Sequence, residues 1–142
     1  MSTPASAAKA PARRVLLIDD TPEIAELLSF ALRDHGYEVA AVGFDPAIGD
    51  LIDEHQPQAL VFDCTSYDMA EMLFDAVRNT PQHAALPIVI VSDTPEKADA
   101  SLRRRNADHV LLIPKPFSGS QVARALAQLL SISNQQSTVS DS

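Results

Sequence analysis

Acidic and basic groups stand at the ends of three separate apolar runs of this chain. Asp19 and Asp20 follow VLLI, Asp63 follows ALVF, and a Lys-Pro-Phe sequence beginning at Lys115 comes shortly after HVLLI. If these runs are neighbouring strands of one parallel sheet, the carboxylates and the amine meet at one edge. Carboxylate oxygens suit Mg²⁺, and a lysine ammonium suits phosphoryl oxygens. The pattern predicts a site that holds a divalent cation together with a phosphoryl group.

The stretches between these groups alternate between strand patterns and helix patterns. Short apolar runs predict strands over 15–19, 37–42, 59–62, 87–91 and 110–113. Apolar residues at helical spacing predict helices that begin near 22, 45, 68, 95 and 119. The last helix starts with a capping box of Ser118 and Gln121 and is expected to end near 130. Five strand–helix units predict an α/β fold, a parallel sheet covered by helices on both faces.

Length and composition indicate one globular domain. The chain has 142 residues, of which 46% are hydrophobic, and this suffices for one packed core. We expect a disordered lead-in over 1–12, rich in Ala, Ser and Pro, and a folded domain over 13–131. The polar stretch over 132–142 is expected to be a disordered tail.

Charge and hydropathy exclude several classes of protein. The net charge of −8 argues against direct binding to nucleic acid or to an anionic membrane, since both need a basic surface. No apolar run approaches the ~20 residues that cross a bilayer, and the N-terminal stretch lacks the apolar segment of a secretory signal. The single cysteine, Cys64, fits a reducing compartment. We therefore expect a cytoplasmic protein in which Cys64 is a buried or half-buried thiol rather than a nucleophile.

The constellation resembles the receiver domain of two-component response regulators, the CheY-like fold, in its single-domain type. The resemblance covers about 13–130, and its matching residues are Asp19, Asp20, Asp63, Ser92 and Lys115-Pro116-Phe117. It implies a flavodoxin-like, doubly wound sheet of five parallel strands in the order 2-1-3-4-5, flanked by five helices. It also implies a cis peptide bond between Lys115 and Pro116.

The resemblance also implies a role for each residue of the site. Asp63 would accept a phosphoryl group from a histidine kinase, a phosphotransfer protein or a small phosphodonor. Asp19, Asp20 and Asp63 would bind Mg²⁺ together with the backbone carbonyl of Thr65. Beyond self-phosphorylation and self-dephosphorylation, no enzymatic activity is implied.

Two further residues would respond to the phosphoryl group. Lys115 would pair with Asp63 at rest and with the phosphoryl oxygens afterwards, and Ser92 would turn its hydroxyl toward them. The output would be altered binding of an unidentified downstream protein through the fourth helix, fifth strand and fifth helix, roughly residues 95–130. A homodimer stays open.

Four positions depart from the family pattern. Tyr67 and Glu71 stand where the family usually has a proline and a glycine after the acceptor, and Asp93 replaces a small residue after Ser92. Leu112 stands where the fifth strand usually carries Tyr or Phe. These departures concern the switch more than the acceptor chemistry.

Two other functions stay open beside the receiver. A pseudo-receiver, a binding module that is never phosphorylated, is consistent with the departures. A Mg²⁺-dependent aspartyl phosphohydrolase fits less well, because Asp19-Asp20-Thr21 lacks the D-x-D-x-T spacing of such enzymes. The run from 103 to 105, three arginines, is interpreted as a solvated helix face in preference to a docking patch.

Overall fold

The computed structural model describes the backbone of residues 13–141 and the side chains of residues 13–131. Its strands are β1 (Arg14–Asp19), β2 (Glu38–Val42), β3 (Ala59–Asp63), β4 (Ile88–Ser92) and β5 (Val110–Pro114). Its α-helices are α1 (Pro22–Asp34), α2 (Ile48–His55), α3 (Tyr67–Arg78), α4 (Pro95–Arg104) and α5 (Gly119–Asp141). A short 3₁₀ helix, Pro81–His83, precedes β4.

The strands form one parallel sheet in the order β2-β1-β3-β4-β5, which confirms the predicted doubly wound sheet. Every residue of β3 and β4 is buried, as expected for central strands covered on both faces. The register places Asp19 opposite Asp63 and Ser92 opposite Pro114. The carboxyl ends of the three central strands and of β5 therefore share one edge of the sheet.

Two apolar cores lie on opposite faces of the sheet. Because side chains alternate along a strand, Leu16 and Phe62 pack toward α2, α3 and α4, whereas Leu17 and Val61 pack toward α1 and α5. Such sandwiching on both sides holds the strand ends rigidly, so the groups that follow them have fixed positions.

The start of α5 is fixed against α1. A methyl group added at Gly119 would lie 2.2 Å from the Cβ of Ala31, so only glycine permits this close approach. The predicted capping box is confirmed: the Ser118 amide donates to the Gln121 carbonyl at 2.7 Å, and the Gln121 amide donates to the Ser118 hydroxyl at 3.2 Å. These contacts anchor the segment that carries Lys115.

Two predicted helix boundaries are wrong. The second helix begins at Ile48 rather than near 45, because Pro46 disfavours a helical Asp45 and the Asp45 carboxylate accepts from the Ala47 amide at 2.9 Å. The last helix continues to Asp141 instead of ending near 130, since no Gly or Pro follows Leu130 to stop it. The predicted lead-in over 1–12 lies outside the described residues, and the domain boundaries stay predictions.

Candidate functional site

Asp63, at the end of β3, is a buried carboxylate with one charged partner. Its side chain is 2% exposed, and its Oδ1 lies 3.1 Å from Nζ of Lys115. Its Oδ2 is buried and has no hydrogen-bond partner among the described residues. One oxygen is therefore neutralised by the ammonium, while the other is a buried acceptor without a donor.

Lys115 is held beside Asp63 by its backbone. The Lys115–Pro116 peptide bond is cis, as the resemblance implied, and the Lys115 amide donates to the Ser92 carbonyl at 2.9 Å. Partial burial acts to lower the pKa of the Lys115 ammonium, but its hydrogen bond to Asp63 and the surrounding carboxylates outweigh this and raise the pKa. The Asp93 carboxylate, 3.9 Å from the ammonium, contributes to that effect.

Asp19 lies opposite Asp63 on the neighbouring strand and is 4% exposed. Its Oδ1 accepts from the Thr21 amide at 2.9 Å, and its buried Oδ2 has no partner among the described residues. Burial raises the pKa of Asp19 to about 6; the Thr21 amide acts against this, and the charge of Asp63 adds to it. The edge thus concentrates more negative charge than its own donors stabilise, which favours a bound cation.

Asp20 is turned toward the loop that follows Asp63. The Thr65 amide donates to the two Asp20 carboxylate oxygens at 3.0 and 3.1 Å, and the Thr65 hydroxyl donates at 2.6 Å. These bonds connect the loop after β1 to the loop after β3. The Thr65 carbonyl as a metal ligand stays a prediction.

Ser92 ends β4 with its hydroxyl directed into its own loop. The side chain is 3% exposed, and its Oγ accepts from the Thr94 amide at 3.0 Å. The Thr94 hydroxyl lies 3.4 Å from the same oxygen. A turn of Ser92 toward a phosphoryl group on Asp63 would have to break this local arrangement.

The side chains at this edge fit a hard divalent cation only in part. Within residues 13–131, no group of three His, Cys, Asp or Glu side chains is arranged to hold a metal ion. Asp19 and Asp63 nevertheless each present a buried, unpartnered carboxylate oxygen, and Mg²⁺ needs few protein ligands because it retains several waters. Asp20 fits as a third ligand if it exchanges the Thr65 donors for the ion.

Cys64, between Asp63 and Thr65, is 4% exposed. Burial raises the pKa of its thiol to about 12, and the carboxylates of Asp20 and Asp63 add to this effect. Because the thiolate is the reactive form, the structure supports an unreactive thiol at this position.

The sequence patterns did not predict a set of three polar contacts between α3 and α4, hereafter the α3–α4 ladder. The contacts are Asp68–Lys97 at 3.3 Å, Glu71–Ser101 at 2.6 Å and Asp75–Arg105 at 2.7 Å. The available signal was the four-residue spacing of positions 97, 101 and 105, which places them on one side of a helix. The predicted solvated face is wrong for Arg105, whose side chain is only 28% exposed, whereas Arg103 is 79% exposed.

No family model matches the sequence, but individual response regulators do. The DNA-binding response regulator MtrA of Mycolicibacterium smegmatis is 28% identical over 120 residues, covering 82% of this chain and 50% of the relative. The probable transcriptional regulatory protein TcrX of Mycobacterium tuberculosis is 29% identical over 119 residues, covering 82% of this chain and 49% of the relative. The chain spans about half the length of these curated relatives.

Solved structures match the same part of the chain. NtrX from Brucella abortus superposes with a TM-score of 0.74 and 26% identity over 92% of this chain and 29% of that one. The chemotaxis response regulator CheY4 of Vibrio cholerae superposes with a TM-score of 0.67 and 24% identity, over 83% of this chain and 98% of that one. This chain has the fold of a response-regulator receiver domain.

This fold therefore brings together the residues that carried the resemblance. Asp19 lies opposite Asp63, which contacts Lys115, and Asp20 approaches the same edge through Thr65. Ser92 lies at the same edge, next to the backbone of Lys115. Over the described residues, no helix is long and apolar enough to span a membrane.

Proposed function

We propose that this receiver domain accepts a phosphoryl group on Asp63 in the presence of Mg²⁺ and thereby changes its binding to another protein. The observation that carries the proposal is the environment of Asp63. Its carboxylate is 2% exposed, one oxygen is 3.1 Å from the Lys115 ammonium, and the other is unpartnered beside Asp19. A carboxylate so placed has an oxygen without a donor and a cation ready for the incoming charge.

The proposed step is a simple displacement at phosphorus. An oxygen of the ionised Asp63 carboxylate attacks the phosphorus, and the bond from phosphorus to the donor breaks, so acetyl phosphate releases acetate. Lys115 acts as a point charge that moves from the carboxylate to the phosphoryl oxygens. Asp19, Asp20 and Asp63, with the Thr65 carbonyl, would hold Mg²⁺, which would supply charge neutralisation when bound.

We propose that the product acts through conformation and not through further chemistry. The Ser92 hydroxyl leaves the Thr94 amide for the phosphoryl group, which draws the loop before α4 inward. This shifts a two-state equilibrium and alters the surface formed by α4, β5 and α5. The receiver domain then has no enzymatic activity besides its own phosphorylation and dephosphorylation.

We propose protein partners on both sides of this step. A histidine kinase or phosphotransfer protein supplies the phosphoryl group, and an unidentified protein binds the altered surface. The net charge of −8 supports a protein partner rather than nucleic acid. The DNA binding named for MtrA belongs to a protein of which this chain matches 50%, and the proposal does not extend to it.

A pseudo-receiver is the second candidate, and two contacts favour it. The Asp20 carboxylate is already satisfied by Thr65, and Asp93 places a further negative charge 3.9 Å from the Lys115 ammonium. The Asp20–Thr65 contact opposes metal binding, and the Asp93 charge opposes the binding of a phosphoryl group. In that case the domain would bind its partner without being phosphorylated.

Intact-mass measurement after incubation with phosphoramidate, with and without Mg²⁺, distinguishes the two candidates. The receiver proposal predicts one added phosphoryl group that requires Mg²⁺ and is absent in Asp63→Asn. Asp93→Asn is the matched control, because it removes a nearby carboxylate and keeps the acceptor. If wild type gains no mass with phosphoramidate and also none with phosphorylated partner kinase, the pseudo-receiver is favoured.

A further inference from the structure

Two of the residues that depart from the family pattern lie in one polar cluster between α3 and α4. Tyr67, at the start of α3, is buried, and Glu71 follows it one helical turn later. Tyr67 shares an apolar cluster with Ala98 and Leu102 of α4. The departure at 67 is thus packed against α4, and the departure at 71 is matched by Ser101 of α4, which donates to Glu71.

Arg105 is the centre of this cluster. Its guanidinium holds Asp75 with two bonds, from Nε to Oδ1 at 2.7 Å and from Nη2 to Oδ2 at 3.0 Å. Nη1 donates to the Ser101 hydroxyl and lies 3.3 Å from Oε2 of Glu71. The two bonds to Asp75 orient the guanidinium, and the hydrogen bond to Asp75 is also the largest cause that raises the Arg105 pKa.

Ser101 completes a closed set of bonds across the two helices. It is 1% exposed, accepts from Arg105 and donates to Oε2 of Glu71 at 2.6 Å. A buried hydroxyl that uses both its donor and an acceptor site has one preferred arrangement. Any shift of α3 relative to α4 must therefore break several charge-assisted bonds together.

The same helix α3 begins at the loop that follows Asp63. Ser66 caps α3 by accepting from the Asp68 amide at 3.2 Å, and Thr65 before it is bonded to Asp20. A change in the Asp20–Thr65 contact would therefore move Tyr67, which lies two residues further along the chain. Because Tyr67 and Glu71 lie against α4, this movement would also shift α4.

The usual aromatic residue on β5 is replaced by Leu112, which is only partly buried. Leucine carries no hydroxyl and no ring to move into a space vacated by Ser92. The α3–α4 ladder offers a connection between the acceptor loop and α4 that does not need β5.

We propose that Glu71, Ser101 and Arg105 are positioning residues that couple the conformation of the loop after Asp63 to the position of α4. The inference rests on the proposed function for its biological meaning, because phosphorylation is what would change the loop. The coupling itself exists in the resting protein, and it is reciprocal: loosening α4 must loosen the loop, and the reverse.

Backbone amide hydrogen exchange of the resting, full chain tests this directly. Arg105→Ala is expected to speed exchange of the Thr65 amide, which donates to Asp20, by about fivefold more than it speeds exchange of the buried β4 amides, which report on global unfolding. Arg103→Ala is the matched control, because among the described residues the Arg103 side chain pairs only with Asp99 on its own helix, and it should leave the Thr65 amide unchanged. Arg105→Lys, which keeps one charged bond, should give an intermediate value.

Exchange of the α4 amides after phosphoramidate treatment supplies the second arm. In wild type their exchange should change with phosphorylation, whereas in Arg105→Ala the added mass should persist while the α4 response is lost. If Arg105→Ala loosens α4 alone and leaves the Thr65 amide unchanged, the coupling is overturned. If wild type gains no phosphoryl mass, the proposed function fails, and the Thr65 amide still reports on the coupling independently.

Discussion

Two regions of the molecule are built from the same residue types and are organised in opposite ways. At the acceptor edge, formed by Asp19, Asp20, Asp63 and Lys115, two carboxylates are almost fully buried and each leaves an oxygen unpartnered. In the α3–α4 ladder, the side chains of Glu71 and Asp75 are 29% and 43% exposed, and their bonded oxygens face Ser101 and Arg105. The most deeply buried carboxylates, those of Asp19 and Asp63, are thus the ones that leave an oxygen without a hydrogen-bond donor.

This difference indicates what each region does. A buried oxygen without a donor lowers stability, and such an arrangement makes physical sense where a cation or a phosphoryl group supplies the missing contact. A satisfied, partly exposed pair adds little free energy but fixes geometry. The acceptor edge is therefore arranged for chemistry, and the α3–α4 ladder for position.

The largest effect is expected from Lys115→Ala in magnesium-free buffer. The variant leaves the Asp63 charge buried without its cation, and the free energy of unfolding should fall by about 3 kcal/mol in urea denaturation. In an Asp63→Asn background, Lys115→Ala should lower the free energy of unfolding much less, since position 63 then carries no buried charge. Equal losses in both backgrounds would mean that Lys115 acts through packing and not through Asp63.

A smaller effect is expected from the pH dependence of Asp19. Its pKa of about 6 in the folded protein lies above the ordinary 3.8, so the folded state holds the proton more tightly than the unfolded state. Protonated Asp19 therefore contributes its full stabilisation below about pH 3.8, and this contribution is lost as the pH rises through about 6.

Urea denaturation of wild type and Asp19→Asn between pH 4 and pH 7, without metal, measures this contribution. Over that range wild type should lose on the order of 2 kcal/mol relative to the variant. Millimolar Mg²⁺ should restore the wild-type stability at pH 7 and leave the variant less affected. Parallel curves for the two proteins would contradict the desolvated state of Asp19.

The α3–α4 ladder should respond more weakly than the acceptor edge. Arg105→Ala should lower the free energy of unfolding by about 1 kcal/mol, because it removes a two-bond contact to Asp75 that remains open to water. Arg103→Ala, which removes a single exposed pair within α4, should change it by less than about 0.5 kcal/mol. A loss at Arg105 as large as that at Lys115 would remove the contrast between the two regions.

The smallest effect concerns the thiol at the acceptor edge. Because burial and nearby carboxylates raise the pKa of Cys64 to about 12, iodoacetamide should not modify folded protein at pH 8. Mass analysis should show full modification in urea. Rapid modification of the folded protein would indicate that the loop after Asp63 opens readily. That result would contradict a loop held closed by the hydrogen bonds between Thr65 and Asp20.

The fold and the location of the site could be predicted because their signals are local. Apolar runs such as VLLI and ALVF identify buried strands, and a parallel sheet must bring their carboxyl ends to one edge. The capping box at Ser118 is likewise a short-range pattern, and it is confirmed. The roles of Asp19, Asp20 and Thr65 in metal binding stay predictions, and so does Asp63 as acceptor.

The features that could not be predicted depend on contacts between distant parts of the chain. Glu71 and Ser101 are thirty positions apart, and only the packing of α3 on α4 brings them together. The turn of Asp20 toward Thr65 depends in the same way on the register of β1 against β3. The run of three arginines led to the same interpretation for Arg105 and Arg103. The Arg105 side chain is in fact 28% exposed, whereas that of Arg103 is 79% exposed.

The central claim, that Asp63 is the residue phosphorylated at this edge, is tested most directly by locating the acyl phosphate. Treatment with phosphoramidate and Mg²⁺, followed by borohydride reduction, converts a phosphorylated aspartate to homoserine, which peptide sequencing by mass spectrometry can place. Phosphorylation of Asp63 predicts homoserine at position 63 alone. Homoserine at position 19, 20 or 93, with position 63 unchanged, would contradict it.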